Sequence, residues 1–269
     1  MLSRIYRAFV LGVALLMALA LAAPAFAQGG QAQVRVAHLA SDAPNVDVHV
    51  NDEPVAALQN VPYGTVSPYL PLPAGTQNVK VYPAGDTSQP VIDTPVDLAA
   101  GGVYTVAAIG LVADGSLRGQ VYEENLAPPA EGNAKLRAVH ASPDAGPVDV
   151  VPAGSAPLVR GLQFPNASPY AEVPAGTYTL NVNAAGTDTT AISVPNATVS
   201  SGGIYSGFAV GTAAAGNLDV IVVQDNAGTP LPSTGGISPA WSAAALATAG
   251  VALSAVLGTG VFAVRRHRA

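Results

Sequence analysis

Cysteine is absent from this chain, which removes disulfides, thiolate metal sites and a cysteine nucleophile in one step. Aromatic residues make up only 6% of it and charged residues only 10%, a poor stock for a cleft walled by rings or crowded with ionisable groups. The usual catalytic signatures are missing too: there is no GxSxG, HExxH, Walker loop or dinucleotide fingerprint. Positive charge is scarce. Of eleven Lys and Arg, Arg4, Arg7, Arg265, Arg266 and Arg268 lie in the two ends, leaving Arg35, Lys80, Arg118, Lys135, Arg137 and Arg160 against all seventeen acids. The part between the ends is therefore near a formal charge of −11. Such a surface repels phosphate backbones and excludes nucleic acid as a partner.

What is present is most specific at the ends. Arg4 and Arg7 precede an apolar run from Phe9 to Ala23, followed by Pro24 and the small-residue pattern Ala25-Phe26-Ala27. This reads as a secretory signal peptide over residues 1–27, cleaved before Gln28. At the other end an uncharged apolar run spans residues 241–264, from Trp241 to Val264. As a helix it rises about 36 Å at ~1.5 Å per residue, enough to cross a bilayer core of ~30 Å. The basic tail at 265–269 holds its far end in the cytoplasm, so the residues before the helix face outward.

Leu231, Pro232, Ser233, Thr234 and Gly235 stand just before that run, in a spacer covering 226–240. Motif, apolar run and basic end, in this order, resemble the LPxTG sorting signal of sortase substrates in bacterial wall proteins. The resemblance implies that a sortase cysteine attacks the Thr234 carbonyl, releases everything from Gly235 onward and passes the acyl group to a cell-wall amine. The other reading is a plain membrane anchor with a chance LPSTG. Under either, the protein is expected at the extracellular face, fixed to membrane or wall.

The middle is an internal duplication. RVAHLASDAPNVDVHV (Arg35 to Val50) returns as RAVHASPDAGPVDVVP (Arg137 to Pro152), SPYLPLPAGT (Ser67 to Thr76) as SPYAEVPAGT (Ser168 to Thr177), and AGGVYTV (Ala100 to Val106) as SGGIYSG (Ser201 to Gly207). Three blocks in one order at a nearly constant offset define two copies of domain size. The boundaries that follow are a polar leader at 28–33, copy one at 34–124, a Pro-rich linker at 125–134 and copy two at 135–225. Paired prolines in the linker predict an extended, stiff connection, two beads on a string.

Within each copy the period is that of strands. Val46, Val48 and Val50 alternate with polar neighbours, and Thr76 to Tyr82, Val103 to Val106 and Gly119 to Tyr122 continue the rhythm. Turn chemistry (PAGT, AGG, SGG, ADG) recurs between them. The expectation is all-β: two tandem immunoglobulin-like β-sandwiches of seven or eight strands each. Pro68, Pro71 and Pro73 confine their segment to an edge strand or loop, and Pro152 is expected to shorten its strand. The opening RVxHxSPDAPxVDV pattern, the SPYxxxPAGT middle and the GGxY element resemble the extracellular module known as domain of unknown function 4397. That resemblance implies a secreted or wall-attached, commonly duplicated β-sandwich without an agreed activity.

The best chemical constellation is His38, Asp42 and Asp47, echoed by His140, Asp144 and Asp149. Histidine beside carboxylates can ligate a metal, act as a general base or switch with pH; the other reading is that the aspartate caps the SDAP or SPDAG turn by accepting backbone N–H bonds while the imidazole ties down that loop. Calcium is the cation these oxygens suit, although the spacing is not that of a known calcium loop. Tyr63 and Tyr69, with Phe164 and Tyr170, flank the SPY elements as core packing or as a sugar platform. The function expected is non-enzymatic: display of two modules for adhesion to an extracellular glycan or protein, or for envelope structure. The alternatives are a carboxylate-dependent glycan hydrolase and a calcium-stiffened spacer. No other cofactor is expected.

Overall fold

Alternating valines give each strand one face to bury, and turns of Gly, Pro and Asp return the chain until two sheets can close on one another. The computed structural model describes residues 30–226. Copy one contains β1 (Gln31–His38), β2 (Val46–Val50), β3 (Glu53–Pro54), β4 (Leu70–Pro73), β5 (Gly75–Pro83), β6 (Ile92–Leu98), β7 (Val103–Ile109) and β8 (Arg118–Glu123). Copy two repeats the series as β9 (Asn133–His140), β10 (Val148–Pro152), β11 (Val159–Leu162), β12 (Ala171–Pro174), β13 (Gly176–Ala184), β14 (Thr190–Val199), β15 (Ile204–Val210) and β16 (Asp219–Gln224). One 3-10 turn, Ala56–Leu58, interrupts the strands. No helix among the described residues is long and apolar enough to cross a membrane. The signal peptide at 1–27, the sorting motif and the apolar run at 241–264 lie outside the described residues.

Each copy is a sandwich of two four-stranded sheets, ordered β4-β1-β7-β8 over β3-β2-β5-β6 and β12-β9-β15-β16 over β11-β10-β13-β14. The immunoglobulin order, with first and second strands in one sheet, is not what forms. Here β1 and β2 lie in opposite sheets, and β1 runs parallel to β7 while β9 runs parallel to β15. Prolines sit where a missing N–H does least harm. Pro71 and Pro73 are in β4, and Pro95 and Pro195 are in β6 and β14, all edge strands. Pro152 does not shorten its strand: β10 has five residues, as β2 has, and Pro152 ends it opposite Leu180.

The copies are not separate beads. In β1, Val34 and Val36 point into the core of copy one, with Val48, Val81 and Val106. The other face of this sheet is buried as well: Ala37 of β1, Leu39 just after it, and Ala107 and Ile109 of β7 pack with Val139, Ala141, Phe208 and Val210 of copy two in one continuous cluster. The outer faces of the β1 and β9 sheets thus meet, giving four layers of sheet in one compact unit. The linker is tied down rather than extended freely. The Lys135 ammonium donates to the Ala127 carbonyl (2.6 Å) and the Ala130 N–H donates to Glu172 (3.2 Å).

Candidate functional site

The histidines and aspartates singled out in the sequence are engaged in closing loops. Asp42 follows β1 and accepts the N–H groups of Val112 and Ala113, both at 2.9 Å, in the loop after β7. Asp144 does the same with Ala213 and Ala214 at 2.8 Å. Asp47 in β2 takes the N–H groups of Asn60 (2.6 Å) and Gly85 (2.9 Å), and Asp149 in β10 those of Gly161 (2.6 Å) and Gly186 (3.0 Å). Each carboxylate therefore pins a segment distant in sequence. The aspartates do not cap their own SDAP or SPDAG turns, as the sequence suggested; they fasten other loops to the strand. Backbone donors from Gly186 and Gly161 hold the Asp149 carboxyl below its ordinary range.

His38 and His140 are fully buried. The Nε2–H of His38 donates to the Pro44 carbonyl, and that of His140 to the Gly146 carbonyl, each at 3.0 Å. In copy two, Nδ1 accepts the Ser142 N–H (3.3 Å), which matches the neutral tautomer; in copy one, Nδ1 has no partner. Tyr63 and Phe164 stand edge-on to these rings at 6.3 Å. Among the described residues, no three His, Asp or Glu side chains gather closely enough to hold a metal ion.

Burial lowers both imidazole pKa values below the ordinary 6.5, against the smaller upward pull of the Pro44 and Gly146 carbonyls. The sign follows. Below about pH 6.5 the unfolded chain takes up protons that the folded chain refuses, so acid favours unfolding. This contribution is complete above that pH and shrinks as pH falls toward the folded-state values. Urea midpoints are accordingly expected to drop between pH 7.5 and pH 5.5, and the His38→Gln/His140→Gln pair to flatten that drop.

A second group of ionisable residues lies at the seam between the copies. Arg35, from β1, reaches Thr105 Oγ1 on β7 with Nε (2.7 Å) and spans two carboxyls with Nη2: Glu124 at 2.9 Å and Asp225 of copy two at 2.7 Å. Arg137, from β9, bonds Ser206 Oγ on β15 (2.8 Å) and reaches across to Glu124 (2.6 Å). Asp225 also accepts from Ser206 (2.7 Å) and Tyr170 (2.9 Å), and Glu124 accepts from Thr105 and Tyr69. Tyr69 and Tyr170, the SPY tyrosines, carry the Arg35 and Arg137 guanidiniums on their faces at 4.9 and 4.8 Å.

All four charged side chains are at most 3% exposed. Burial opposes ionisation of Glu124, but two guanidiniums and two hydroxyl donors outweigh it and hold its pKa below the usual carboxylate range. Asp225 is raised instead, by burial first and by the facing Glu124, despite Arg35 beside it. Two cations and two carboxyls enclosed this way form a joint that ties the two sheets to one another.

In the sequence Arg35 and Arg137 stand only as the first letters of a repeated motif, and nothing local marks the joint. One signal was available. Arg35/Arg137, Tyr69/Tyr170, Thr105/Ser206 and Glu124/Asp225 are equivalent positions of the two copies, two identical and two exchanged within a chemical class, so each copy brings the same kinds of groups to the joint. The tyrosines stack on the guanidiniums at this joint.

No curated protein matches the chain. Two solved structures that match it are a Bacillus anthracis TIE protein (12% identity, 68% of this chain and 34% of that one, TM-score 0.22) and a leucine-rich repeat protein from Bacteroides thetaiotaomicron (16% identity, 66% and 26%, TM-score 0.17). The chain thus spans about a third and about a quarter of their lengths, and overlaps this shallow carry no role across. The sequence model of the domain of unknown function DUF4397 matches residues 32–151 and again residues 139–238. These stretches hold both copies of the duplicated motifs, and the chain belongs to the DUF4397 family, with two tandem copies of its domain.

Proposed function

We propose that the protein is exported by its signal peptide, held at the bacterial cell surface by the segment that begins at Leu231, and displays the fused pair of sandwiches as a non-enzymatic unit for adhesion or envelope structure. The observation that carries this reading is the joint between the copies. A shared apolar cluster and a closed charge network make one stiff body of two modules, which suits a part that must hold its shape under load outside the cell. Support also comes from the histidines and aspartates, whose hydrogen bonds go to loop backbone. A groove of about 650 Å³ along the seam, lined by Gln120, Tyr122, Glu123, Asn166, Tyr170 and Glu172, gives a glycan or peptide partner a place to dock.

The test is cell fractionation combined with protease shaving of intact cells. The protein is expected in the wall fraction and open to external trypsin, and Thr234→Ala is expected to move it from wall to membrane. Intact protein with both ends unprocessed in the cytosol overturns the reading. A glycan array and whole-cell binding with the displayed body then separate adhesion from envelope structure: silence on both assigns the latter.

A further inference from the structure

The two copies share a topology but not a core. In copy one, Val36 on β1 stands beside Val106 on β7, both buried in the cluster between the sheets. The same neighbouring pair in copy two is Ala138 and Gly207. An apolar cavity of about 70 Å³ remains between the sheets, lined by Leu136, Ala138, Val150, Leu180, Gly207 and Val220 among others. The corresponding space in copy one is about 10 Å³.

Nothing in the backbone demands a glycine at 207. Its φ is not in the left-handed region, and a Cβ there would meet only Val220 Cγ1 at 3.5 Å and the Arg137 carbonyl oxygen at 3.9 Å, ordinary contacts. A third difference lies at the edge. In copy one, Gly119 lets β8 approach β6 so closely that a Cβ would stand 2.9 Å from Thr94 Oγ1 and 3.0 Å from Ile92 Cγ2. Copy two has Val220 at that position, half-buried and packed against the cluster of Val148, Leu162 and Val182. The two cores also differ in exposure: Leu136, Ala138, Val150 and Leu180 are half-buried, whereas their counterparts Val34, Val36, Val48 and Val79 are buried.

From these three coordinated differences we infer that the second sandwich takes the end of an unbranched hydrocarbon chain between its sheets, entering past Val220. An apolar cavity stays dry and accepts apolar guests, and at about 70 Å³ this one admits the end of an alkyl chain, with the rest of the chain and its polar head outside. Aliphatic walls select an alkyl chain over a sugar or a peptide, and the slot between two sheets favours a slim guest over a ring system. The chain can belong to a free fatty acid or to a membrane lipid. This site does not depend on the surface-display reading.

The test uses residues 30–226, which contain both cores and the joint, with dodecanoate and phosphatidylcholine–phosphatidylglycerol vesicles as probes. Dodecanoate is expected to bind saturably at one site and raise the Tm. Ala138→Val/Gly207→Val is expected to melt higher without ligand and to bind at least tenfold more weakly. Gly207→Ala, for which the added Cβ has room, serves if the double variant fails to fold and is also expected to weaken binding. Co-flotation with vesicles that is lost in the filled variant assigns the chain to a lipid, and binding of dodecanoate alone assigns it to a free acid. No saturable binding to the unaltered body, or equal binding by a folded filled variant, overturns the inference.

Discussion

Glu124→Ala is expected to lower the free energy of unfolding by about 3–5 kcal/mol, the usual cost of removing one partner from a buried ion group. Glu124 accepts from both arginines, at 2.9 and 2.6 Å, and from the Thr105 and Tyr69 hydroxyls. Without it, Arg35 keeps only Asp225 as a bonded carboxyl and Arg137 loses the one carboxyl it bonds among the described residues, so cationic charge is left in a nearly closed space. The attraction between the four groups is not what makes the loss large. Two guanidiniums and two carboxyls also cost free energy to remove from water, and the intact group offsets that cost only because its geometry is complete. A companion variant separates these effects. Replacing the whole group with apolar residues (Arg35→Met, Arg137→Met, Glu124→Leu, Asp225→Leu) is expected to return most of the stability that Glu124→Ala removes. Urea unfolding at neutral pH measures both. A loss under 1 kcal/mol for Glu124→Ala would mean that the group contributes little to joining the sheets.

Phe208→Ala is the second large effect, also about 3–5 kcal/mol from the lost burial and the cavity left behind. Phe208 is fully buried on β15 and belongs to the cluster that copy one completes with Ala37, Leu39, Ala107 and Ile109. Its ring also lies 5.8 Å from the Arg35 guanidinium. The joint makes the outcome specific. Because the cluster belongs to both copies, calorimetry is expected to show a single transition for the unaltered body, displaced downward as a whole in the variant. Two resolved transitions, with only the copy-two event displaced, would show that the sandwiches melt independently and that the seam is a weak contact.

Much of this architecture was legible in the chain. Period-two valines from Val46 to Val50 and from Thr76 to Tyr82 announced β2 and β5, since alternation reports directly on a strand with one buried face. The prolines of β4 announced an edge. Less legible were β6 and β14, where Pro95 and Pro195 interrupt the pattern and edge position alone makes them tolerable. The loop role of His38 and His140 was among the readings the residues allowed, but the reach of Asp42 to the loop after β7, some 70 residues away, was not. Contact between outer sheet faces was hidden for a plain reason. Ala37, Ala107 and Phe208 are apolar residues on faces that a lone sandwich would show to water, and in a buried strand such residues merge into a continuous apolar run.

By itself the sequence determined that the chain is duplicated, all-β between its ends, short of catalytic signatures and acidic there, because composition and local period depend on no partner. Tertiary structure alone decided that the copies share a core, that Arg35 meets Asp225 across 190 residues of chain, and that the space left by Ala138 and Gly207 stays open. Those outcomes depend on which two surfaces meet and how closely they approach, and no local pattern of side chains encodes that.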